Sequence, residues 1–241
     1  MASDRVWGNT SPTVCSGRAT TKKAKKKVKR PAINKRNVAG LYAVTPDLAD
    51  TPELLDKVRR VLRGGAHILQ YRNKLADAAL RLQQARALRE LTREFDTLFI
   101  VNDDTGLAVL VDADGVHLGG EDESVTDARA QLGETKLIGV SCYNRADLAM
   151  DAAHRGADYV AFGAFFPSAI KPEAVRADEV LLQKVRDKLN LPIVAIGGIT
   201  RHNGAAIVAA GADSLAVITA LWGAADIEQA AQELSKLFIR T

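Results

Sequence analysis

Residues 193–220, IVAIGGITRHNGAAIVAAGADSLAVITA, decide the fold. Two apolar, β-branched runs, IVAI and SLAVI, bracket a helical pattern at 203–210. A strand that is apolar at nearly every position is buried on both faces, and two such strands joined by a helix pair in parallel. Gly197 and Gly198 follow the first strand and Thr219 the second. Glycines allow a ligand close to the backbone, and amides leading into a helix attract anions, so this end suits a phosphate.

The same unit recurs upstream. Strand patterns fall at 40–45, 67–71, 98–102, 115–118, 137–141, 159–162, 192–196 and 214–218. Helix patterns lie between them: one capped by Thr51 before Pro52 and ending at Gly64 and Gly65, then 77–95, 127–132, 145–155, 178–189, 203–210 and, last, 226–238. The connection at 103–112 has room for a stub of helix. Eight such units predict an α/β fold of the (β/α)8 TIM-barrel type. The alternative, an open doubly wound sheet, would carry a glycine fingerprint after its first strand, which this chain lacks.

Composition agrees with a globular body. The 241 residues are 47% hydrophobic and 26% charged, with 2 Cys, which excludes fibrous, disulfide-stapled and wholly unfolded classes. No apolar run approaches the ~18 residues a spanning helix needs, so no membrane is expected as a partner. Cys15 and Cys142 lack metal-like or redox-like spacing, which points to a reducing cytoplasm.

The net charge of +4 hides an asymmetry. Residues 1–36 hold 11 of the 33 Lys and Arg and one of the 29 acids, leaving 22 bases and 28 acids elsewhere. This Lys/Arg-rich extension, 1–37, has no apolar periodicity and is expected to be disordered, with a catalytic domain at 38–241. The stretch reads first as a solvated extension, with a targeting segment open; nucleic acid is not expected as a partner except through the run between Lys22 and Arg30.

In a TIM barrel the active site lies at the carboxyl ends of the strands. Those positions carry Gln70, Arg72 and Lys74 after the second strand, Asn102 and Asp103 after the third, Asp122 after the fourth and Ser141 after the fifth. Ser168 and Lys171 follow the sixth, Gly197 and Gly198 the seventh and Thr219 the eighth. Taken singly, Asp103 reads better as a helix cap and Asp122 as a solvated loop acid. Together, two carboxylates facing Arg72, Lys74, Lys171 and Arg176 suit a hard divalent ion bridging to a polyphosphate, as Mg2+ does. His67, His117, His154 and His202 show no ligand spacing, and His117 inside a strand reads as a packed, hydrogen-bonded residue; Cys142 reads as a packed thiol.

The motifs QYRNK (70–74), ND (102–103), GVHLGGED (115–122), GVSC (139–142), DYVAFGAFFPSAIK (158–171), IVAIGGI (193–199) and GADSLAVITA (211–220) stand in the order of a known family. Over residues 39–238 the chain resembles the thiamine-phosphate synthases. The resemblance implies a transferase that joins 4-amino-2-methyl-5-hydroxymethylpyrimidine diphosphate to 4-methyl-5-(2-phosphoethyl)thiazole, or its carboxylate, releasing diphosphate. It implies Gln70 on the pyrimidine; Arg72, Lys74, Asn102 and Lys171 on the diphosphate; Ser141 on either; and Asp103 and Asp122 on Mg2+. It also implies the thiazole phosphate on main-chain donors at Gly198, Ile218 and Thr219, with a hydroxyl contributed by Ser168. Arg72, Lys74, Ser141 and Lys171 would assist loss of diphosphate before the thiazole nitrogen attacks.

One position departs from the pattern. Where the family has Pro, Thr, any residue, Thr, Lys, this chain has Pro167, Ser168, Ala169, Ile170 and Lys171, and the lost hydroxyl at Ile170 predicts a raised KM for the thiazole phosphate. Alternatives are a thiazole tautomerase on the same barrel, which would need no second metal acid, and a non-catalytic barrel that binds thiazole phosphate. Barrels of this family often associate, so a homo-oligomer is compatible with the chain.

Overall fold

The apolar runs become parallel strands: β1 (Gly40–Val44), β2 (Ile68–Tyr71), β3 (Leu98–Asn102), β4 (Gly115–Leu118), β5 (Leu137–Tyr143), β6 (Tyr159–Phe162), β7 (Ile193–Ile196) and β8 (Ser214–Val217). Each pairs with its neighbour in sequence, and β1 pairs with β8 to close the barrel. This computed structural model describes Met1 and residues 38–120, 122–167 and 175–239. Apart from Met1, the expected basic extension lies outside the described residues, as do Ser168, Ile170 and Lys171. The barrel lies within a single compact unit of the chain.

Helices α1 (Thr51–Arg63), α2 (Ala78–Glu94), α3 (Thr105–Leu110), α4 (Val125–Leu132), α5 (Ala146–His154), α6 (Glu179–Arg186), α7 (Gly204–Ala209), α8 (Thr219–Trp222) and α9 (Ile227–Ser235) connect or follow the strands, and a 3-10 turn closes at Lys236–Phe238. Side-chain acceptors for the orphan amides of the first turn set the starts of α1, α2, α3, α4, α6 and α9. Asp50, rather than Thr51, caps α1: its carboxylate accepts from Glu53 N at 2.7 Å, and Thr51 is already helical. A charged acceptor one residue earlier reaches the same amide and also complements the helix dipole. Likewise Asp104, not Asp103, caps α3 by accepting from Leu107 N. The short α8 carries no side-chain cap that would announce it in the sequence.

Strand periodicity separates two cores. Tyr42, Val44, Ile68, Ile100, Leu137, Tyr159, Ala161, Val194 and Ala216 fill the barrel interior. Their alternating neighbours, including Leu41, Ala43, Leu69, Phe99 and Val160, pack outward with the helices.

A repeated clasp braces the opposite end of the barrel from the strand carboxyl termini. The Ala-Asp pairs at 113–114, 157–158 and 212–213 each precede an even-numbered strand. Asp114 accepts from Phe99 N at the start of β3 and binds Arg89 of α2. Asp158 accepts from Ile138 N in β5 and binds Arg129 of α4, and Asp213 accepts from Ile193 N in β7 and binds Arg186 of α6. Each clasp ties one helix to two adjacent strands. Before β2 the matching position holds His67, a fourth turn of the pattern without the carboxylate.

Candidate active site

The inward alternation that places Ile68, Ile100 and Leu137 in the interior core brings Gln70, Asn102 and Ser141 inward at the carboxyl end of the same strands. His117 on β4 pairs in register with Asn102 on β3. Gln70 is 6% exposed and His117 9%, whereas Asn102 and Ser141 are half-buried. Gln70 Nε2 donates to the Tyr42 hydroxyl at 2.8 Å, and His117 Nε2 lies 2.9 Å from Ser141 Oγ. Burial pushes the His117 pKa down to about 4, against the opposing pull of the Asp122 charge, so the ring is neutral near pH 7.

The cationic wall follows β2. Thr45 Oγ1 donates to the Arg72 carbonyl and accepts from the Arg72 amide, both at 2.8 Å, which fixes the chain where it leaves the strand. Asp47 then holds the Arg72 guanidinium at 3.0 Å and accepts from the Lys74 amide at 2.6 Å. Asn73, buried between them, donates to Leu48 O and Gln84 and accepts from the amides of Leu75 and Ala76. Within QYRNK the asparagine therefore shapes the loop, while Lys74 is exposed and Arg72 half-buried.

Asp103 sits in a left-handed turn at φ 61°, its amide bonded to the His117 carbonyl at 2.8 Å, so β4 dictates how β3 ends. Its carboxyl lies within hydrogen-bonding reach of Asp122, and burial first, then Asp122, raise its pKa against the pull of Lys74, whose Nζ is 3.6 Å away. Asp122 is held by the Gly119 amide at 2.6 Å. Two carboxylates pressed together in this way repel unless a proton or a cation lies between them. Hard oxygen donors beside an open, cationic rim fit a dication that takes its remaining ligands from water and substrate. A cavity of about 410 Å3 opens alongside, lined in part by Arg72, Lys74, Arg81, Asn102 and Asp103. Arg176, weighed as a fourth cation, is exposed, and its carbonyl accepts from Asn144.

Across the rim, Gly198 adopts φ 63°, and a Cβ there would lie 2.5 Å from the Pro167 carbonyl oxygen. The close approach is held by Phe165 N to Ile196 O at 3.2 Å and Phe166 N to Gly197 O at 3.0 Å, which dock the segment after β6 onto the end of β7. Ile218 precedes α8 and Thr219 opens it, and Trp222 Nε1 donates to Val44 O at 2.6 Å, pinning α8 to β1. Gly198, Ile218 and Thr219 thus flank the β7–β8 side of the mouth, and Gln70, Asn102, Asp103, Asp122 and Ser141 the β2–β5 side.

Sequence reasoning missed Asp47, Tyr42 and Tyr159. Asp47 had a legible signal, an acid just past the first strand, whereas the tyrosines read as ordinary core. Among the described residues no group of three His, Cys, Asp or Glu is gathered as a metal cage, and no helix is long and apolar enough to cross a membrane.

The family profile described as thiamine monophosphate synthase matches residues 41–221. A thiamine-phosphate synthase of Methylobacillus flagellatus is 56% identical over 201 residues, 83% of this chain and 96% of the relative. That of Nitrosomonas eutropha is 49% identical over 208 residues, 86% and 98% of the two chains. Among solved structures, the thiamine phosphate pyrophosphorylase of Pyrococcus furiosus superposes with a TM-score of 0.76 at 38% identity, covering 85% of this chain and 98% of that one.

Proposed function

The chain belongs to the thiamine monophosphate synthase family and has its transferase activity, and we propose that the reaction runs by loss of diphosphate ahead of carbon–nitrogen bond formation, in the cytoplasm. The observation that carries this reading is the Asp103–Asp122 pair with Lys74 at 3.6 Å, a charged cluster suited to a leaving diphosphate.

In this reading Gln70 and Ser141 hold the aminopyrimidine, while Arg72, Lys74 and Asn102 bind its diphosphate. Lys171 and Ser168 complete the anion contacts from the segment after β6. Asp103 and Asp122 would hold Mg2+, which neutralises charge developing on the departing oxygens. Arg72 and Lys74 stabilise the same charge; Asp47 fixes the Arg72 guanidinium before substrate arrives and holds the backbone from which Lys74 reaches in. Main-chain donors at Gly198, Ile218 and Thr219 hold the thiazole phosphate and aim the ring nitrogen at the pyrimidine methylene. Departure of diphosphate leaves a cation on that methylene, and the nitrogen lone pair fills it. No nucleophilic side chain is required, which agrees with the buried Cys142, whose thiol burial pushes up to about 12.

The test is thiamine phosphate formation by the purified full chain, with and without Mg2+, alongside Asp122→Ala. Mg2+-dependent product lost in the variant supports the reading. Product that forms equally well in EDTA, or in the variant, overturns the metal role. No product at all, with proton exchange on the thiazole carboxylate, would favour the tautomerase. A variant lacking residues 1–36 is expected to turn over unchanged.

A further inference from the structure

We propose that Tyr42, Tyr159 and His117 are positioning residues that form a one-directional hydrogen-bond relay, fixing Gln70 as an acceptor and Ser141 as a donor toward the substrate's aminopyrimidine. This rests on the pyrimidine contacts assigned above to Gln70 and Ser141.

The relay crosses the barrel interior in four links. Gln70 Nε2 to Tyr42 Oη is 2.8 Å, Tyr42 Oη to Tyr159 Oη 3.0 Å, Tyr159 Oη to His117 Nδ1 3.1 Å, and His117 Nε2 to Ser141 Oγ 2.9 Å. Tyr42 and Tyr159 are 1% and 0% exposed, so water does not supply partners for them. The His117 and Tyr159 rings stack at 26° with centroids 5.6 Å apart, which fixes the geometry of the link between them.

Proton counting sets the direction. Each phenol owns one proton. Tyr42 accepts from the Gln70 amide, so its own proton goes to Tyr159. Tyr159 has then accepted once, and its proton goes to Nδ1 of His117. That nitrogen must be bare, which places the ring proton on Nε2, from which it is donated to Ser141. Two groups are left over at the ends: the Gln70 carbonyl oxygen and the Ser141 hydroxyl proton. Reversing any one link would force every other to reverse, because a buried phenol with two donors aimed at it leaves its own proton unplaced. The core therefore stores a polarity, and the Gln70 amide selects it.

An acceptor and a donor are the complement of a 4-aminopyrimidine, which presents an exocyclic N–H and an unprotonated ring nitrogen. A 4-oxo pyrimidine presents the reverse pattern at both positions. A site with fixed polar groups rejects such an analogue strongly, since both protein groups are left facing like partners. Without the relay the amide could turn over and the hydroxyl could rotate, and either pattern would be accommodated.

Two measurements test this on the full chain. Nitrogen-15 NMR of the His117 ring reads the relay directly: Nδ1 is expected as the pyridine-type nitrogen and Nε2 as the protonated one, and the opposite tautomer overturns the proposal. Steady-state kinetics with the 4-amino and 4-oxo pyrimidine diphosphates supply the second. The wild type is expected to discriminate by about 10²-fold or more, and Tyr159→Phe to lose about tenfold of that, with a raised KM for the pyrimidine and an unchanged KM for the thiazole phosphate. A folded Tyr159→Phe with wild-type discrimination overturns it. If that variant does not fold, Tyr42→Phe removes the links to both Gln70 and Tyr159; Gln70 then no longer selects the His117 tautomer, discrimination is expected to weaken, and intact discrimination there also overturns the relay. Absence of thiamine phosphate from the wild type would sink the reaction assignment instead, and the tautomer would still report on the relay.

Discussion

A Cβ on Gly139 would lie 2.0 Å from the Cζ of Tyr159, so the bare backbone of β5 is what lets the tyrosine cross the barrel and meet Tyr42 and His117. The two residues lie opposite each other in the register of β5 and β6. The missing side chain on one strand and the large one on the next are a single packing decision.

Gly139→Ala is therefore expected to destabilise the fold by about 1–3 kcal/mol, since a methyl group in a filled core displaces its neighbours. It should also raise the KM for the pyrimidine diphosphate by displacing the Tyr159 hydroxyl. Urea denaturation and initial rates check both. A variant with unchanged stability would show that the tyrosine has room to move aside.

The three clasps differ in burial and should differ in worth. Arg89 and Asp114 are each 4% exposed and bonded through two nitrogens, at 2.7 and 2.9 Å, whereas Arg186 and Asp213 are 35% and 39% exposed. Arg89→Met leaves a buried carboxylate without its guanidinium and is expected to cost about 3–5 kcal/mol, against about 1 kcal/mol or less for Arg186→Met. Equal losses in parallel urea titrations would sink the ranking by burial.

Asp47 touches both Arg72 and Lys74, which makes it a positioning residue for the diphosphate. Asp47→Ala is expected to raise the KM for the pyrimidine diphosphate about tenfold, the effect of losing about 1.4 kcal/mol of preorganised charge, with the KM for the thiazole phosphate unchanged. If both constants rose together, the loop as a whole would be at fault.

Cys142 carries a thiol pushed up to about 12 from 9.0 by burial. The native state thus holds the proton more tightly than the unfolded chain does, and the stability this contributes is present below pH 9 and lost as pH rises toward 12. At pH 8.5 iodoacetamide should leave the Cys142 peptide unmodified in the native protein and alkylate it in denaturant, as mass spectrometry would show. Rapid native labelling would contradict the packed-thiol assignment.

The strand order and the rim were legible because they rest on local pattern. A doubly buried strand is apolar along its length, and eight such βα units without a glycine fingerprint after the first strand point to a closed barrel. Inward period-two positions at 70, 102 and 141 follow from the same pattern, and the motifs about them carried the family. The cap of α1 and the short α8 were not legible. The first turned on which of two adjacent acceptors reached an amide, and the second lacks a capping side chain.

The sequence by itself determined the barrel, the end of it that bears chemistry, and the residue types gathered there, since each depends on spacing along one strand or one turn. Only the tertiary structure decided which of those groups touch. Asp103 meets Asp122 and Lys74, and a chain of hydrogen bonds joins Gln70 to Ser141 through Tyr42, Tyr159 and His117, because closing the barrel brings together strands that are far apart in the chain. Tyr42 and Tyr159 are 117 residues apart in the chain, and a contact at that separation leaves no periodic mark in the sequence.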